Sequence, residues 1–331
     1  MKTRKPSAVR WGILAPGGIS RAFTRELVKI PDARVVAVGS RSAERADAFA
    51  GEFGIPKSYG SYEEFARDPD IDIVYIGSPH SHHHEHSLLC MNEGKSILCE
   101  KSLAMNARQV REMEQAAREK GLFLMEAMWT RFLPAIRWVR SRISDGSIGE
   151  VTTIHATFGF RLAWNPEHRL LNPELGGGAL LDAGIYPISF ASMIFGMQPK
   201  DIHSSARIGS TGVDEWFAAL FDYGDARSAQ VGSSVQLPLR TEAVIYGTEG
   251  RIEIPSFIGA KKATIVSCSG TDETFNDNDN DRGMKHEAIE AMRCLSEGLR
   301  ESPGIPITES IAIMETLDRM RSDWNLTYPN E

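Results

Sequence analysis

The stretch ILAPGGISRAF, residues 13–23, joins an apolar run to a helical pattern through a Pro-Gly-Gly turn. A strand that leads into a helix through such a turn opens a parallel α/β sheet, and a dinucleotide-binding turn belongs at the same place. The usual pattern is G-x-G-x-x-G, and the corresponding residues here are Ala15, Gly17 and Ser20. Only the middle glycine, which lets the backbone approach a pyrophosphate, is present, and the helix start offers free N–H groups. The motif alone fits a cofactor turn or a strand–helix turn without a ligand.

The residues that follow this stretch continue the same alternation over about the first 125 positions. The predicted strands are 9–15, 34–40, 72–78, 96–101 and 122–129. The predicted helices between them are 18–30, 42–53, 83–94 and 106–121. Near-continuous apolar strands separated by helices predict a parallel sheet covered on both faces, which is the doubly wound Rossmann arrangement.

The pattern changes after about residue 150. Strand-like stretches then follow one another with turn-like joints, at 151–160, 201–209, 215–223, 227–237, 241–254 and 263–269. One predicted helix, 177–196, interrupts them, another, 286–302, closes the chain, and the polar stretch 271–283 reads as a solvated loop. Such strands favour an open antiparallel or mixed sheet. We therefore expect an α/β Rossmann domain at 1–128 and an α+β domain at 129–331.

Length, charge and cysteine content exclude several classes of protein. The chain has 331 residues, 42% of them hydrophobic and 24% charged, with a formal net charge of −7. The acidic balance argues against nucleic acid or an anionic membrane as a partner, because phosphate binding needs a concentrated basic face. No apolar stretch suggests a membrane span, and the start MKTRKPSAVRWGIL lacks the apolar run of a secretory signal. The four scattered cysteines predict reduced thiols and a cytoplasmic location.

The end of the second predicted strand bears on which cofactor is bound. Dinucleotide-binding units that select NAD place Asp or Glu there, on the ribose 2′-hydroxyl, whereas this chain has Ser40 and Arg41. A carboxylate would repel the 2′-phosphate of NADP, but serine can donate a hydrogen bond to it and arginine can neutralise it. These two residues favour NADP and leave NAD possible. A solvated arginine at a helix start would have the same sequence.

Several ordered motifs resemble the glucose–fructose oxidoreductase / inositol dehydrogenase family (Gfo/Idh/MocA). LCEKSLA (98–104) is similar to the family's Glu-Lys-Pro segment, and GSPHSHHHEHSLLCMNEGKSILCEK (77–101) to the passage that leads into it. GGGALLDAGIYPISF (176–190) is similar to the helix of its second domain. MEAMWTRFLPA (125–135) and LDRMRSDWNLTYP (317–329) resemble the branch with dimeric dihydrodiol dehydrogenase and NADP-dependent D-xylose 1-dehydrogenase.

The resemblance implies an NADP-dependent oxidoreductase that transfers a hydride between a nicotinamide and a sugar, polyol or cyclic diol. It implies catalytic positions at Lys101, Tyr186, Asp182 and, as a secondary acid or hydrogen-bond donor, His83. It implies substrate-pocket positions at Trp129, Phe160, Asp182 and Tyr186. The expected cofactor contacts are Ala15, Pro16, Gly17, Gly18, Ile19, Ser40, Arg41, Ser78, Pro79, His80, Glu100 and Lys101.

The chemistry of these residues fits that activity. Hydride transfer from an alcohol needs a base for the hydroxyl proton, and tyrosine is a poor base because its free pKa is about 10. A nearby ammonium group lowers that pKa, so we expect Lys101, at the carboxyl end of a parallel strand, to pair with Tyr186. Asp182 precedes Tyr186 by four residues, which places both on one face of an α-helix, and it is expected to bind a substrate hydroxyl.

Three sequence features qualify the prediction. Ser102 stands where the family has proline, so we expect a trans and more mobile strand end after Lys101. SHHHEH (81–86) lacks the second histidine of a His-Glu-x-x-His zinc motif. DNDNDRG (277–283) lacks the glycine and the glutamate of a calcium loop, so no metal is predicted.

Two other functions remain open at this stage. Some relatives on this fold are NAD-dependent glycosidases, although these tend to lack the Glu-Lys pair. A non-catalytic NADP-binding sensor is the second alternative, weakly favoured by Ser102 and opposed by Lys101, Asp182 and Tyr186. Because family members often pair through the open sheet, we also expect a homo-dimer or homo-tetramer whose other partner is a small-molecule sugar, polyol or diol.

Overall fold

The chain folds into two compact units, each assembled from separate stretches of sequence. The structure, a computed structural model, describes residues 8–196, 198–329 and 331. Unit 1 comprises the described residues up to Ala104, then Arg108–Trp129 and Gly283–Ser310. Unit 2 comprises Met105–Ala107, Thr130–Arg282 and the described residues from Ile311 onward. Residues 1–7, the basic start of the segment considered above for a secretory signal, lie outside the described residues.

Unit 1 is built on a parallel sheet with the strand order β3-β2-β1-β4-β5-β6 in the described chain. Its strands are β1 (Val9–Leu14), β2 (Ala33–Gly39), β3 (Lys57–Tyr59), β4 (Ile73–Ile76), β5 (Ser96–Glu100) and β6 (Leu124–Ala127). The order reverses between β1 and β4, and the predicted doubly wound sheet is confirmed. Leu14, at the end of β1, pairs with both Gly39 and Ile76, so three strands end at the same edge. β3 was not predicted, because three residues are too few to show a periodic pattern.

The helices of the described chain account for both predicted and unpredicted stretches. They are α1 (Gly18–Leu27), α2 (Ala43–Phe53), α3 (Tyr62–Ala66), α4 (His83–Asn92), α5 (Ala107–Lys120), α6 (Pro134–Ser144), α7 (Ile185–Phe195), α8 (Lys285–Ser296) and α9 (Ile307–Asp323). A single π-helical turn, Leu180–Gly184, leads into α7. α3, α6 and α9 were not predicted, and α9 follows the helix that was expected to close the chain.

The segment Gly283–Ser310 belongs to unit 1, whereas a division at 128/129 assigns it to the second domain. Its anchor is Glu26 on α1, which is buried and accepts the backbone N–H groups of Gly283 at 3.1 Å and Lys285 at 2.9 Å. α8 then packs on α1. The association depends on a buried carboxylate in a helix, which no local sequence pattern reveals.

Unit 2 contains a mixed sheet with the strand order β14-β13-β12-β11-β7-β10-β9-β8 in the described residues. Its strands are β7 (Val151–Gly159), β8 (Asp201–Ile208), β9 (Asp214–Gly224), β10 (Arg227–Ser234), β11 (Glu242–Gly247), β12 (Gly250–Pro255), β13 (Lys262–Ser267) and β14 (Glu273–Asn276). β7 and β10 pair in parallel, and the other neighbours pair antiparallel. The predicted α+β domain with a mostly antiparallel or mixed sheet is thus confirmed.

Two details of that sheet differ from the sequence prediction. The predicted strand 241–254 is a hairpin of β11 and β12, because a tight turn at Thr248 and Glu249 reverses the chain. The predicted loop 271–283 contains β14, a polar edge strand on β13. Its polar composition suits an edge strand, where only one side of the backbone is paired and the side chains face solvent.

One helical run, Pro173–Phe195, is long and apolar enough to cross a membrane by length and composition, contrary to the sequence prediction. The apolar 18-residue stretch within this run is 89% buried inside the folded chain. A helix that is apolar on all sides and covered by other elements is typical of a protein core. Its apolar character therefore reflects the position of α7 in the interior.

Candidate active site

The turn after β1 adopts the conformation of a dinucleotide-binding turn without its first glycine. Ala15 has a φ of 65°, a left-handed conformation in which glycine is usual. Its N–H donates to Gly39 O at 3.0 Å, and its carbonyl accepts the N–H of Gly17 at 2.8 Å. Gly17 is exposed, and a Cβ placed there would have no protein atom closer than 3.9 Å. The open space above Gly17 is thus available to a ligand, which is what a pyrophosphate at a helix start requires.

The third glycine of the motif is replaced by a compensating pair. Ser20 is completely buried and donates its hydroxyl to Ala15 O at 2.7 Å. Gly77, just after β4, faces Ser20 Oγ so closely that a Cβ on Gly77 would overlap with it. The close approach of helix and strand that glycine usually provides in the helix is provided here by Gly77 in the strand end.

A cavity of about 360 Å³ lies at this edge of the sheet. Its lining residues are Ala15, Pro16, Gly17, Ser40, Arg41, Ser42, Arg45, Tyr62, Gly77, Ser78, Pro79, His82 and His86. Seven of the predicted cofactor residues are among them, and no Asp or Glu is. Arg41 and Arg45 contribute two guanidinium groups to the lining, and Ser40 and Ser42 contribute two hydroxyl groups. The Ser42 N–H donates to Ser40 Oγ at 3.2 Å.

Several lining residues of this cavity, among them Arg45 and Tyr62, were not predicted. Arg45 follows Arg41 by four residues across the start of α2, a spacing that could have indicated a second cation on the same face. Tyr62 comes from α3, which was not predicted. These residues fit a dinucleotide with an extra phosphate. The cavity supplies free helix N–H groups, two cations, and a glycine at which a ligand can approach the backbone.

Three side chains beside this cavity could ligate a metal ion. The ligand atoms of His82, Glu85 and His86 all lie within 4.8 Å of one another. Burial lowers the pKa of His86 to about 4, so its ring is neutral at physiological pH, and its Nδ1 contacts Ser78 Oγ at 3.0 Å. Glu85 is exposed. The sequence prediction of no native metal stays a prediction.

The end of β5 is fixed by two histidines. His80 Nε2 contacts Lys101 O at 3.1 Å, and His83 Nδ1 contacts Ser102 O at 2.8 Å. The peptide between Lys101 and Ser102 is cis, which corrects the expectation of a trans peptide; the expected mobility of this strand end stays a prediction. The imidazoles contact the carbonyl of this peptide and that of the next one, a role that was not predicted.

The environment of His83 differs from that of a proton donor to a substrate. His83 is fully buried, and its Nε2 contacts Ser78 O at 2.8 Å while Nδ1 contacts Ser102 O. Burial lowers its pKa to about 4, despite the two carbonyls that oppose this effect. A neutral imidazole carries one N–H and donates to only one of these two carbonyl oxygens, so His83 contacts the ends of both β4 and β5 but hydrogen-bonds one of them in a given tautomer.

Buried acids support the same strand ends. Tyr75 on β4 donates its hydroxyl to Glu100 Oε1 at 2.5 Å. Glu126 on β6 accepts the N–H of Leu103 at 3.2 Å and the hydroxyl of Ser310 at 2.6 Å. The segment that begins at Lys101 is thereby attached to two neighbouring strands and to the start of α9. Glu126 was a missed residue, although an acid inside an apolar strand was a visible signal.

Unit 2 brings together Asp182, Tyr186 and their neighbours. Asp182 lies in the π-helical turn and accepts a hydrogen bond from Arg169 Nη1 at 3.0 Å. Tyr186, in the first turn of α7, packs edge-on against Phe158, with ring centroids 5.8 Å apart. Phe158 in turn packs against Phe160. Because Asp182 sits in a π turn, the α-helical spacing used to place it on the face of Tyr186 does not apply directly.

Arg169 and Phe158 were not predicted: the position of Arg169 depends on how the loop after β7 folds back, and Phe158 is one of several aromatic residues in β7 and just after it. A second contact, also unpredicted, holds α7 itself. Arg131, which is buried, donates to Ser189 Oγ at 3.0 Å and to Ser189 O at 2.9 Å. The predicted residues therefore fall into two groups. The cofactor residues, Lys101, His83 and Trp129 lie in unit 1, and Phe160, Asp182 and Tyr186 lie in unit 2.

Comparisons with known proteins follow the same two-part division. The sequence pattern of the oxidoreductase family with an NAD-binding Rossmann fold matches residues 9–128. The pattern of the GFO/IDH/MocA C-terminal domain matches residues 136–253. A relative from Xenopus laevis, trans-1,2-dihydrobenzene-1,2-diol dehydrogenase, is 41% identical over 97% of this chain and 100% of its own length. The chain belongs to the GFO/IDH/MocA family.

Other members of the GFO/IDH/MocA family extend this result. The enzyme of the same name from Homo sapiens is 38% identical over 98% of this chain and 99% of its own length. Among solved structures, a 3-ketoreductase from Actinomadura kijaniata in complex with NADP and TDP-benzene has a TM-score of 0.83 and 26% identity, covering 95% of this chain and 97% of its own. An aldose-aldose oxidoreductase from Caulobacter crescentus, at 21% identity and a TM-score of 0.86, shares the fold. This GFO/IDH/MocA chain is therefore a dehydrogenase with an NAD-binding Rossmann domain.

Proposed function

We propose that this enzyme is an NADP-dependent dehydrogenase that oxidises a secondary hydroxyl of a trans cyclic diol or the anomeric carbon of an aldose. The observation that carries the proposal is the cavity of unit 1, in which two arginines and no carboxylate surround the end of β2. The full-length relatives at 38% to 41% identity are named for a cyclic diol, which supports the substrate class.

The cofactor part of the proposal depends on charge. NADP differs from NAD by the 2′-phosphate, and Arg41, Arg45, Ser40 and Ser42 offer cations and hydroxyls that a phosphate accepts. The 3-ketoreductase neighbour was solved with NADP, which is consistent with this choice. Gly17 and the free N–H groups at the start of α1 would hold the pyrophosphate.

The chemistry is assigned to residues of this chain as follows. When bound, the nicotinamide would supply the acceptor for the hydride of the substrate carbon. Tyr186 is assigned as the base for the hydroxyl proton, and Lys101 as the cation that favours a phenolate base. Asp182, held by Arg169, accepts a hydrogen bond from a substrate hydroxyl and orients it. Phe160 and Trp129 contribute flat apolar walls, which suit the face of a ring.

The neighbouring ketoreductase gives separate support for a tyrosine and a lysine in this role. That enzyme was also solved as a variant with one tyrosine replaced by phenylalanine and as a variant with one lysine replaced by glutamate, both with NADP bound. A glycosidase or a cofactor sensor has no comparable support among these relatives.

The first experiment is the Tyr186→Phe variant, assayed by absorbance of the reduced nicotinamide with NADP⁺ and a panel of trans cyclic diols and aldoses. Loss of the phenolic oxygen should lower kcat by a factor of about 10² to 10⁴, the usual contribution of a general acid or base. Binding of NADP⁺, followed by fluorescence, should not change, because Tyr186 lies outside the cavity of unit 1.

Tyr246→Phe is the matched control, since it removes the same atom from another tyrosine of unit 2 that is not assigned to the site. It should retain full turnover. If Tyr186→Phe keeps wild-type kcat, the assigned mechanism is wrong. If the wild type reduces neither NADP⁺ nor NAD⁺ with any substrate of the panel, the result contradicts the proposed activity and favours the sensor or glycosidase alternative.

We also propose that the enzyme forms a homo-dimer or homo-tetramer through the exposed face of the unit 2 sheet. This face contains a broad concavity of about 1000 Å³ lined by residues of β7 to β11 and by Leu237 and Leu239. Leu220 and Leu237 are 42% and 43% exposed there, and an apolar patch of this kind is typical of an interface.

Light scattering should report a dimer or a larger oligomer, and Leu220→Asp should shift the equilibrium toward the monomer. A monomeric wild type would exclude the proposal.

A further inference from the structure

The π-helical turn with Asp182 begins without a cap of its own. Its N-cap residue is Ala179, whose side chain has no hydrogen-bond acceptor. The first backbone N–H groups of a helix have no partner within the helix, so a buried helix start needs an acceptor from another part of the chain. The residue that fills this need determines how firmly the start of the segment with Asp182 and Tyr186 is held.

Asp214, the first residue of β9, supplies that acceptor. The Leu180 N–H donates to Asp214 Oδ2 at 2.7 Å, and Asp214 is completely buried. Its second oxygen, Oδ1, has no hydrogen-bond partner among residues 8–196, 198–329 and 331. A buried carboxyl group with one oxygen on a helix start and the other unpaired is costly to maintain, which argues that its position serves a purpose.

Two glycines allow β9 to approach the π-helical turn closely. Gly178 has a φ of 112°, and a Cβ there would overlap with Asp214 Oδ1 and lie 3.1 Å from Tyr328 Oη. Gly184, at the other end of the π turn, faces the ring of Phe217 so closely that a Cβ would overlap with it. Asp214 and Phe217 are both on β9. This strand therefore contacts the turn at its first residue and at its last.

We propose that Asp214 is a positioning residue for the reaction, which holds the amino end of the helical segment that carries Asp182 and Tyr186. The proposal rests on the proposed function, because it takes those two side chains as the substrate-contacting ones. Asp214 holds this segment by a hydrogen bond to its backbone. It acts through the backbone of Leu180, two residues before Asp182.

The charge state of Asp214 gives the proposal a testable pH dependence. Burial raises the pKa of Asp214 to about 7, against the opposing effects of the Leu180 and Ala179 amides and of Arg321. Among the described residues, the ionisable side chains that act on the carboxyl group are Tyr328 from the C-terminal segment and Arg321 from α9. Arg321 is itself paired with Asp318 at 2.7 Å and with Glu331 at 2.6 Å, so its charge is largely balanced.

The direction of the effect follows from the hydrogen bond. Above pH 7 the carboxylate is ionised, and a charged acceptor at a helix start binds an N–H group more strongly than a protonated one. Asparagine at position 214 would keep a neutral acceptor at every pH. The ratio of wild-type to Asp214→Asn kcat should therefore be close to one at pH 5.5 and rise to about three- to tenfold at pH 8.5, with an inflection near pH 7.

The test combines that pH profile with amide hydrogen exchange of residues 179–186, which does not depend on turnover. Asp214→Ala should accelerate exchange in this segment, and Asp214→Asn should have a smaller effect. The matched control is Glu215→Gln, which neutralises the next residue of β9, an acid paired with Arg207 at 3.1 Å. Its kcat profile and the exchange of residues 179–186 should match those of the wild type.

A flat ratio of wild-type to Asp214→Asn kcat between pH 5.5 and 8.5 would overturn the positioning role, even if exchange changes, because it would make Asp214 a structural residue only. Unchanged exchange in a folded Asp214→Ala variant would overturn the anchor itself. Failure of the proposed function is seen separately, as wild-type turnover in Tyr186→Phe. If Asp214→Ala does not fold, Asp214→Asn supplies both measurements.

Discussion

At the scale of single residues, the cofactor turn departs from its family pattern and keeps the geometry. Ala15 occupies a left-handed conformation with a φ of 65°, although an L side chain is disfavoured there. Two backbone hydrogen bonds, to Gly39 and from Gly17, hold it in place. The conformation is therefore imposed by the turn and the neighbouring strand, and a sequence search for three glycines finds only one.

The charges of single residues in the cavity lead to a prediction about cofactor choice. Arg41→Ala removes one of the two cations beside the end of β2, and a hydrogen bond between charged groups contributes about 1.5 to 3 kcal/mol. The Kd for NADP⁺ should rise about 10- to 100-fold while the Kd for NAD⁺ changes little, as measured by isothermal titration.

Arg67→Ala is the control for that measurement, because Arg67 is exposed and lies outside the cavity. Its affinities for both cofactors should equal those of the wild type. Equal weakening of NADP⁺ and NAD⁺ by Arg41→Ala would show that Arg41 contacts a part common to both, and the argument for a 2′-phosphate site would fail.

At the scale of elements, the packing of α1 on the end of β4 depends on where the small residue stands. The glycine expected in α1 is absent, and a glycine follows β4 instead. Ser20 takes the place of a glycine in α1, and Gly77 supplies the missing space from the strand end. Helix start and strand must approach closely for the helix N–H groups to face the cavity. The pair is 57 positions apart in sequence, so no local motif contains it.

The second prediction tests this exchange. Gly77→Ala should lower the free energy of unfolding by about 1 to 3 kcal/mol, the usual cost of overpacking, because the new methyl group would overlap with Ser20 Oγ. The double variant Gly77→Ala/Ser20→Gly should recover most of that loss in urea denaturation, since it returns the glycine to α1.

Gly51→Ala on α2 is the matched control, since a Cβ there meets no atom within 4 Å. It should be neutral or slightly stabilising, as expected when a helical glycine becomes alanine. Independent effects of Gly77→Ala and Ser20→Gly, with no recovery in the double variant, would mean that the two residues do not share the space.

At the scale of the whole molecule, a buried acid in the C-terminal segment makes stability depend on pH. Glu287 on α8 is completely buried, and neither carboxyl oxygen has a hydrogen-bond partner in the described part of the chain. Burial, with Glu100 and Glu26 nearby, holds the pKa of Glu287 well above its ordinary value. The folded state therefore keeps this proton at a pH where the unfolded chain has lost it.

The third prediction concerns the direction in which stability changes with pH. Stability of the wild type should decrease as pH rises above the ordinary pKa of glutamate, by at most about 1.4 kcal/mol per pH unit from this group. Glu287→Gln has no proton to lose, so its advantage over the wild type should grow from near zero at pH 4 toward neutral and alkaline pH in thermal or urea denaturation.

Glu290→Gln, on the same helix, should show the opposite trend. Arg293 and Ser302 lower the pKa of Glu290 to about 2, so its contribution is present at neutral pH and is lost as pH falls toward 2. Glu290→Gln should therefore be less stable than the wild type at pH 7 and approach it in acid. A Glu287→Gln advantage that does not vary with pH would show that Glu287 is not protonated in the folded state.

The sequence by itself determined the classes of the two domains, because both follow from local periodicity. Apolar strands that alternate with helices specify a parallel sheet, and strands joined by turns specify an antiparallel or mixed one. It also located the turn at Gly17 and the strand ends at Ser40, Ser78 and Lys101, since ligand sites lie at the carboxyl ends of parallel strands.

Only the tertiary structure decided how those positions are supported. Arg45 in the cavity, Arg169 on Asp182, the Ser20–Gly77 exchange, the attachment of Gly283–Ser310 and the Asp214 contact all join residues whose pairing no local pattern marks. The physical reason is that periodicity reports only which side of an element is buried. Which buried polar group meets which partner depends on the packing of elements that are distant along the chain.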